Sequence, residues 1–155
     1  VAGGSAFVWP SFSKDLGDKS EGIVSAANWV WNTKGNMANT KFKDIIEPMY
    51  RKEFGEFMGE QVGPSFAGLM MIYEAIEETG STDRTKIRDY MKSMTGADSE
   101  WFSLFHPNSK FNENGKNIGN TPVIGQWQDG EMVAVFPLEV ASNRLLDPMT
   151  LDQIN

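Results

Sequence analysis

Apolar residues recur along this chain in two rhythms, one helical and one strand-like. Phe42, Ile45, Ile46 and Met49 stand at i, i+3, i+4 and i+7, the stripe of an amphipathic helix. Pro48 falls inside that stripe and predicts a bend, because proline removes a backbone donor. Phe66, Leu69, Met70, Tyr73 and Ile76 repeat the pattern over 62–79, after the Gly63-Pro64 break and before Gly80, a good C-terminal cap. Ile87, Tyr90, Met91 and Met94 make a third stripe, with Thr82 or Asp83 as its N-cap. Near the start, Trp9 to Gly17 reads as a short helix, with proline at its first position and glycine past its end.

The strand-like rhythm is clearest from Val123 to Phe136. Asp129-Gly130 supplies the positive φ angles of a tight hairpin turn. Pairing outward sets Gln128 against Glu131, Trp127 against Met132, Gly125 against Ala134 and Val123 against Phe136. One face then carries Val123, Gly125, Trp127, Met132, Ala134 and Phe136. The other carries Ile124, Val133 and Val135 with Gln126 and the tip pair Gln128/Glu131, which predicts a dry base and a wet tip. Gly22 to Trp29 reads as a second strand, small and apolar enough for burial on both faces. If it ran on, Trp29 and Trp31 would share a face, as a ligand platform or as packing. A polar loop, 32–39, follows it. Asn112-Glu113-Asn114-Gly115 is a turn, and 95–109 has no readable pattern. The order of elements implies one α/β domain, with no internal repeat.

Composition narrows the function. A chain of 155 residues with 40% apolar content, ten Phe and five Trp can bury an ordinary core. The net charge of −7 and the absence of any basic run argue against a nucleic-acid partner. With no cysteine there is no disulfide, thiolate metal site or cysteine nucleophile, and the compartment stays open. No apolar run is long enough to span a bilayer. Val1 opens no signal peptide, and the start reads as that of a processed or truncated chain.

Each constellation with chemical potential has a plainer reading. His106, the only histidine, lies in Phe105-His106-Pro107 without a nucleophile elbow, so a structural role is preferred to a triad. Glu77-Glu78 and Asp98/Glu100 read as solvated charge. Asn112 to Gly115 lacks the ligand series of a calcium loop. Gly3-Gly4-Ser5 lacks the phosphate-cradle fingerprint and is either a close-approach loop or a linker. Met70, Met71, Met91 and Met94 read as core rather than as an adaptable groove. No catalytic set and no cofactor site emerges, so the residues point to a binding protein rather than an enzyme.

Three segments together carry a resemblance: Asp15-Leu16-Gly17-Asp18-Lys19-Ser20-Glu21-Gly22-Ile23-Val24, Phe111-Asn112-Glu113-Asn114-Gly115-Lys116-Asn117 and Gly125-Gln126-Trp127-Gln128-Asp129-Gly130. Phe136 to Ala141 and the helix ending Tyr73-Glu74-Ala75-Ile76-Glu77 add to it. In this order and spacing the chain resembles the C-terminal part of the branched-chain (Leu/Ile/Val-type) amino-acid binding proteins of ABC transporters. These are type I periplasmic solute-binding proteins, α/β clamshells of two three-layer αβα lobes.

The resemblance implies an incomplete unit. Residues 1–60 and 118–155 would be second-lobe elements, and 61–117 a return into the first lobe with a crossing strand near Lys110 to Asn117. It implies capture of a small solute (amino acid, amide or small carboxylate) by hinge closure, a membrane permease as partner, and a periplasmic or extracytoplasmic location. The loop Gly4-Ser5-Ala6 and Gln61 would line the cleft. Ser5 stands where such proteins often place an acid for the ligand ammonium, which counts against a charged amine ligand, and Gln61 where they often have an apolar residue, which argues against a purely aliphatic one. The stretch 99–110 is longer than the family's usual approach to its crossing strand. A sensor domain of the same fold, or a non-binding fragment acting through protein association, are the alternatives. If nothing covers the 62–94 helices, homo-oligomerisation or swapping is expected.

Overall fold

The computed structural model describes residues 2–34, 42–104, 106 and 108–146. These fall into two compact units, Val1–Gln61 with Pro122–Asn155, and Val62–Thr121.

The first unit is built on a four-stranded sheet in the order β1 (Ala2–Gly3), β2 (Val24–Ala27), β3 (Val123–Gln128), β4 (Glu131–Phe136). β1 and β2 are parallel, and the remaining pairs are antiparallel. Helix α1 (Pro10–Leu16) begins at its proline and ends at Gly17, as its sequence dictates. The hairpin turns at Asp129 and Gly130, with φ of 53° and 78°. Glu21 caps it, accepting from the Asp129 and Gly130 amides at 2.9 and 2.7 Å.

The expected hairpin register holds from Gln128/Glu131 to Gly125/Ala134 and then slips. A bulge pairs Ile124, not Val123, with Phe136. One extra residue on β4 turns Phe136 outward, to 57% exposure, so it leaves the apolar face assigned to it. Val123, Trp127, Met132 and Ala134 remain in the core with Val8, Ala27, Val30 and Phe57. The tip is not wet on its other face. Gln126 and Gln128 are buried because the chain from Asn143 to Leu146 covers them. Gln126 donates to the Gly22 and Leu146 carbonyls and accepts from Gln128, and Gln128 accepts from Asn143. Asn32 Oδ1 takes the outward Ala134 amide at 2.9 Å, and the Ala134 carbonyl accepts from Ser142 and Asn143. This closes an edge that would otherwise be open to pairing.

β2 is shorter than the apolar run predicts and is buried on one face only: Ser25 and Ala27 point in, whereas Ala26 is exposed. The chain leaves the sheet before Trp29, so Trp29 and Trp31 share no strand face. Trp29 is buried edge-on against Phe42, and Trp31 lies beneath the Arg51 guanidinium, 4.5 Å from its ring centroid. Of the loop 32–39, residues 35–39 lie outside the described residues; Asn32 and Thr33 are buried. The Phe42 stripe is also revised. Residues 42–46 form a π-helical turn before α2 (Glu47–Phe54) starts afresh. Pro48 thereby falls in the first turn of a new helix, where no donor is required. Phe42 is buried, but Ile45 and Met49 are exposed.

The second unit pairs α3 (Val62–Thr79) with α4 (Arg84–Ser93). Asp83 caps α4, accepting from the Thr85 and Lys86 amides at 3.0 Å. The buried face of α3 is not the large apolar stripe. It is the row Gly63, Ala67, Met71, Ala75, at a spacing of four, while Leu69, Ile72 and Tyr73 face outward. Gly63, Ala67 and Ala75 in that row admit close packing of a neighbour and Met71 fills the core, which outweighs the size of the side chains on the adjacent rows. Met71 and Met94 pack with Trp101 and Phe102 in a core flanked by Met70 and Met91, so the methionines serve as packing. The unreadable stretch after α4 supplies that core. Ser99, buried within it, donates to Glu74 at 2.7 Å and accepts from the Phe102 amide. Asn112 Oδ1 accepts from the Asn114 and Lys116 amides, and Gly115 has φ 75°, so this segment is a turn.

Candidate functional site

In sheets with parallel strands, ligands gather beyond the carboxyl ends, where the chain leaves the strands and backbone groups are free. The parallel pair β1/β2 sets Ala2 beside Val24 and Gly3 beside Ser25, so Gly4 to Ala6 follow directly from the carboxyl end of β1. Asn28 follows from that of β2.

The loop after β1 is held from several sides. Gly4 opens a 3₁₀ turn, Ser5–Val8, and its carbonyl accepts from the Phe7 amide at 2.9 Å and the Ser25 hydroxyl at 3.2 Å. The Trp127 indole donates to the Phe7 carbonyl at 2.6 Å. Phe7, Phe12 and Trp127 stack in sequence, and Phe57 closes on Trp127 edge-on. Gly4 and Ala6 are exposed, and a side chain at Gly4 would meet nothing within 4 Å. The loop is therefore a fixed, open rim rather than a linker.

Residues 57–60 pack beneath this rim. A Cβ on Gly59 would approach Pro10 Cδ to 3.1 Å, and Glu60 lines a small cavity with Val8, Trp29, Trp31 and Phe57. Gln61, the next residue, is exposed and leads into α3. Glu60 is 7% exposed. Its Oε1 accepts from both the backbone and side-chain amides of Asn28, the latter at 3.1 Å. Its Oε2 and the Trp31 indole N–H line the same cavity without a hydrogen-bond partner among the described residues. Glu60 thus fixes the end of β2 to the segment that carries Gln61. Asn28 and Glu60 carry no motif; a buried acid flanked by Gly59 and Gln61 is invisible to periodicity.

A second charged element braces this unit. Arg51 donates to both carboxylate oxygens of Glu131, at 2.6 and 2.9 Å, and to Glu47 one helical turn away. Burial raises the Glu47 carboxyl above its usual range, partly offset by the Arg51 charge. Hydrogen bonding to Glu131 raises Arg51 further above an already high value.

Elsewhere, His106 Nδ1 accepts from the Asn108 amide at 3.0 Å, a local loop contact. It lines a polar concavity of about 540 Å³ with Thr95, Ser109 and Lys110; its neighbours Phe105 and Pro107 lie outside the described residues. Among the described residues no acid or histidine cluster could hold a metal ion, and no helix is long and apolar enough to cross a membrane.

No protein-family model and no curated protein matches this chain. Solved structures do. A leucine-binding protein, LivK, from Thermotoga maritima superimposes with a TM-score of 0.67 at 18% identity, over 90% of this chain and 36% of its own. The branched-chain amino-acid transporter substrate-binding protein LivJ of Streptococcus pneumoniae, solved with isoleucine, gives 0.62 at 14% identity, over 86% and 37%. An ABC transporter substrate-binding protein from Desulfitobacterium hafniense, solved with Leu, gives 0.50 at 16% identity, over 81% and 38%. This chain spans little more than a third of the length of each. It carries part of the type I periplasmic binding protein fold.

Proposed function

We propose that the chain is the C-terminal part of a solute-capturing protein of an ABC-type uptake system for amino acids or related small polar solutes. The observation that carries this reading is the likeness to substrate-binding proteins over 81–90% of the chain, together with an open, braced rim at the carboxyl end of a parallel strand pair. On this reading residues 1–60 and 118–155 supply second-lobe elements, and residues 61–117 the return into the first lobe with its crossing strand. Capture is by hinge closure of two lobes, in the periplasm or another extracytoplasmic space, with delivery to a membrane permease. No cofactor takes part, and the role is binding rather than catalysis.

Gly4, Ser5 and Ala6 offer backbone groups to the solute, and Gln61 offers an amide. A polar Gln61 and a serine, rather than an acid, at position 5 favour an amide or carboxylate-bearing solute over a purely aliphatic amino acid. A thermal-shift panel of L-amino acids, their amides and small carboxylates tests this. A solute present at about ten times its Kd should stabilise the chain by about 1.4 kcal/mol. Gln61→Ala should reduce that gain, read against the variant's own unliganded melting temperature. A panel without any stabilising solute, or stabilisation that survives Gln61→Ala undiminished, would argue against the reading.

A further inference from the structure

We infer that one buried water molecule bridges the Trp31 indole and the Glu60 carboxylate, completing the tie between the chain after β2 and the segment that leads to Gln61. Trp31 Nε1 and Glu60 Oε2 are buried atoms that line one cavity, and neither has a hydrogen-bond partner among the described residues. Leaving both dry would incur the desolvation cost of an indole donor and of a carboxylate acceptor together. Val8, Val30, Phe57, Met58 and Met132, which close the cavity with Trp29, offer no side-chain N–H, hydroxyl or oxygen. The cavity measures about 10 Å³, which is room for one water and for no larger solute.

Hydrogen-bond polarity selects the occupant. The indole nitrogen only donates, and a carboxylate only accepts. A cation would meet the positive end of the indole N–H, and an anion would meet the carboxylate. Water accepts from the one and donates to the other, and two such partners suffice to hold it. The consequence is mechanical. Glu60 Oε1 already accepts from the backbone and side-chain amides of Asn28, and Trp31 carries the Arg51 guanidinium over its ring. The water joins these two sets of contacts, so that Arg51, Trp31, Glu60 and Asn28 form one network beside Gln61. The inference is independent of the solute reading, because it rests on buried groups of the first unit, and a failed solute titration leaves it standing.

Water-selective NOE and ROE spectroscopy of the isotope-labelled 155-residue chain tests it. Trp31 Hε1 should show a cross-peak to water with the sign of a molecule that tumbles with the protein. The Met58 and Met132 methyls should show it too. Their protons do not exchange, and the residues are 3% and 2% exposed, so bulk solvent does not produce such peaks. Trp127, whose indole donates directly to the Phe7 carbonyl at 2.6 Å, gives the dry reference. Trp31→Phe keeps an aromatic wall but removes the donor. The methyl cross-peaks should then weaken about fivefold, and hydrogen exchange at the Asn28 amide should quicken about fivefold. Glu60→Leu removes the acceptor and should remove the Trp31 Hε1 cross-peak. Circular dichroism checks that the variants keep their fold; if either does not, the wild-type cross-peak at Trp31 Hε1 decides. No such peak, or one of the sign of proton exchange with solvent, would overturn the inference and assign the two groups a direct bond or another protein partner. Cross-peaks unchanged in the folded variants would overturn it equally.

Discussion

Replacing Arg51 with alanine removes one side chain from three partners at once. It strips the two donors from Glu131, one donor from Glu47 and the cation from the Trp31 face. The Glu131 pair is about a third exposed on both sides, 32% and 34%, so solvent screening holds its worth to about 1 kcal/mol. The contact with Trp31 adds about 0.5–1 kcal/mol. Glu47 decides the outcome, because its side chain is only 5% exposed and loses its compensating charge. Breaking a fully buried pair costs about 3–5 kcal/mol, and the partial exposure of Arg51 reduces that to about 2. The sum is about 3–4 kcal/mol at neutral pH. Its pH dependence separates the causes. Glu47 already has a raised pKa in the fold, so folding favours its protonated form; stability falls as pH rises from the unfolded value near 4.5 through the folded one. Without Arg51 that fall steepens, and the loss caused by the substitution should shrink to about 1–2 kcal/mol at pH 4, where Glu47 is neutral. Urea unfolding followed by tryptophan fluorescence at pH 4 and 7.5 measures both values. A loss of equal size at the two pH values would refute the assignment of the cost to a stranded Glu47.

Glu60→Ala removes the acceptor of the Asn28 amides and also a carboxylate oxygen without a partner among the described residues, so it should destabilise by only about 1 kcal/mol. Its clearer signature is faster hydrogen exchange at the Asn28 amide, and unchanged protection there would contradict the contact. Gly119→Ala places a methyl group 1.8 Å from the Asn108 carbonyl oxygen and 2.7 Å from Ser109 Cα. These are backbone atoms that cannot rotate away, so we expect a loss of about 3 kcal/mol or more in the unfolding of the second unit. Gly125→Ala meets Met132 Sδ at 2.4 Å, in a side chain that is 2% exposed. It should cost about 1–3 kcal/mol, and the double variant with Met132→Ala should cost less than the sum, because the second change makes the room the first lacks.

Local signals carried the parts of this fold that depend on local chemistry. Pro10 and Gly17 bound α1, Asp83 caps α4, and Asp129-Gly130 turns the hairpin, each because a backbone angle or an orphan amide admits few residue types. Readings that required knowing the neighbour failed. The stripe rule places Leu69 and Tyr73 inside, but α3 packs on the row Gly63, Ala67, Met71 and Ala75. The polar tip residue Gln128 reads as solvated, yet the chain from Asn143 to Leu146 returns to satisfy it and Gln126. The slip at Ile124 came from a bulge that no residue type announces. At the candidate site, the sequence leaves Gly3-Gly4-Ser5 open between a loop and a linker, and Asn28 and Glu60 meet only through tertiary packing. The family resemblance reached the fold because it rested on several segments in register, none of them specific alone.

We propose that the loop Gly4 to Ala6, together with Gln61, receives a small polar solute. The most direct measurement is an amide-resolved NMR titration of the isotope-labelled chain with glutamine, asparagine and small carboxylates. Saturable shifts confined to Gly4, Ser5, Ala6, Asn28 and Gln61, with about millimolar affinity, are the predicted result. Shifts absent from those amides at saturating solute, or clustered elsewhere in the chain, would contradict it.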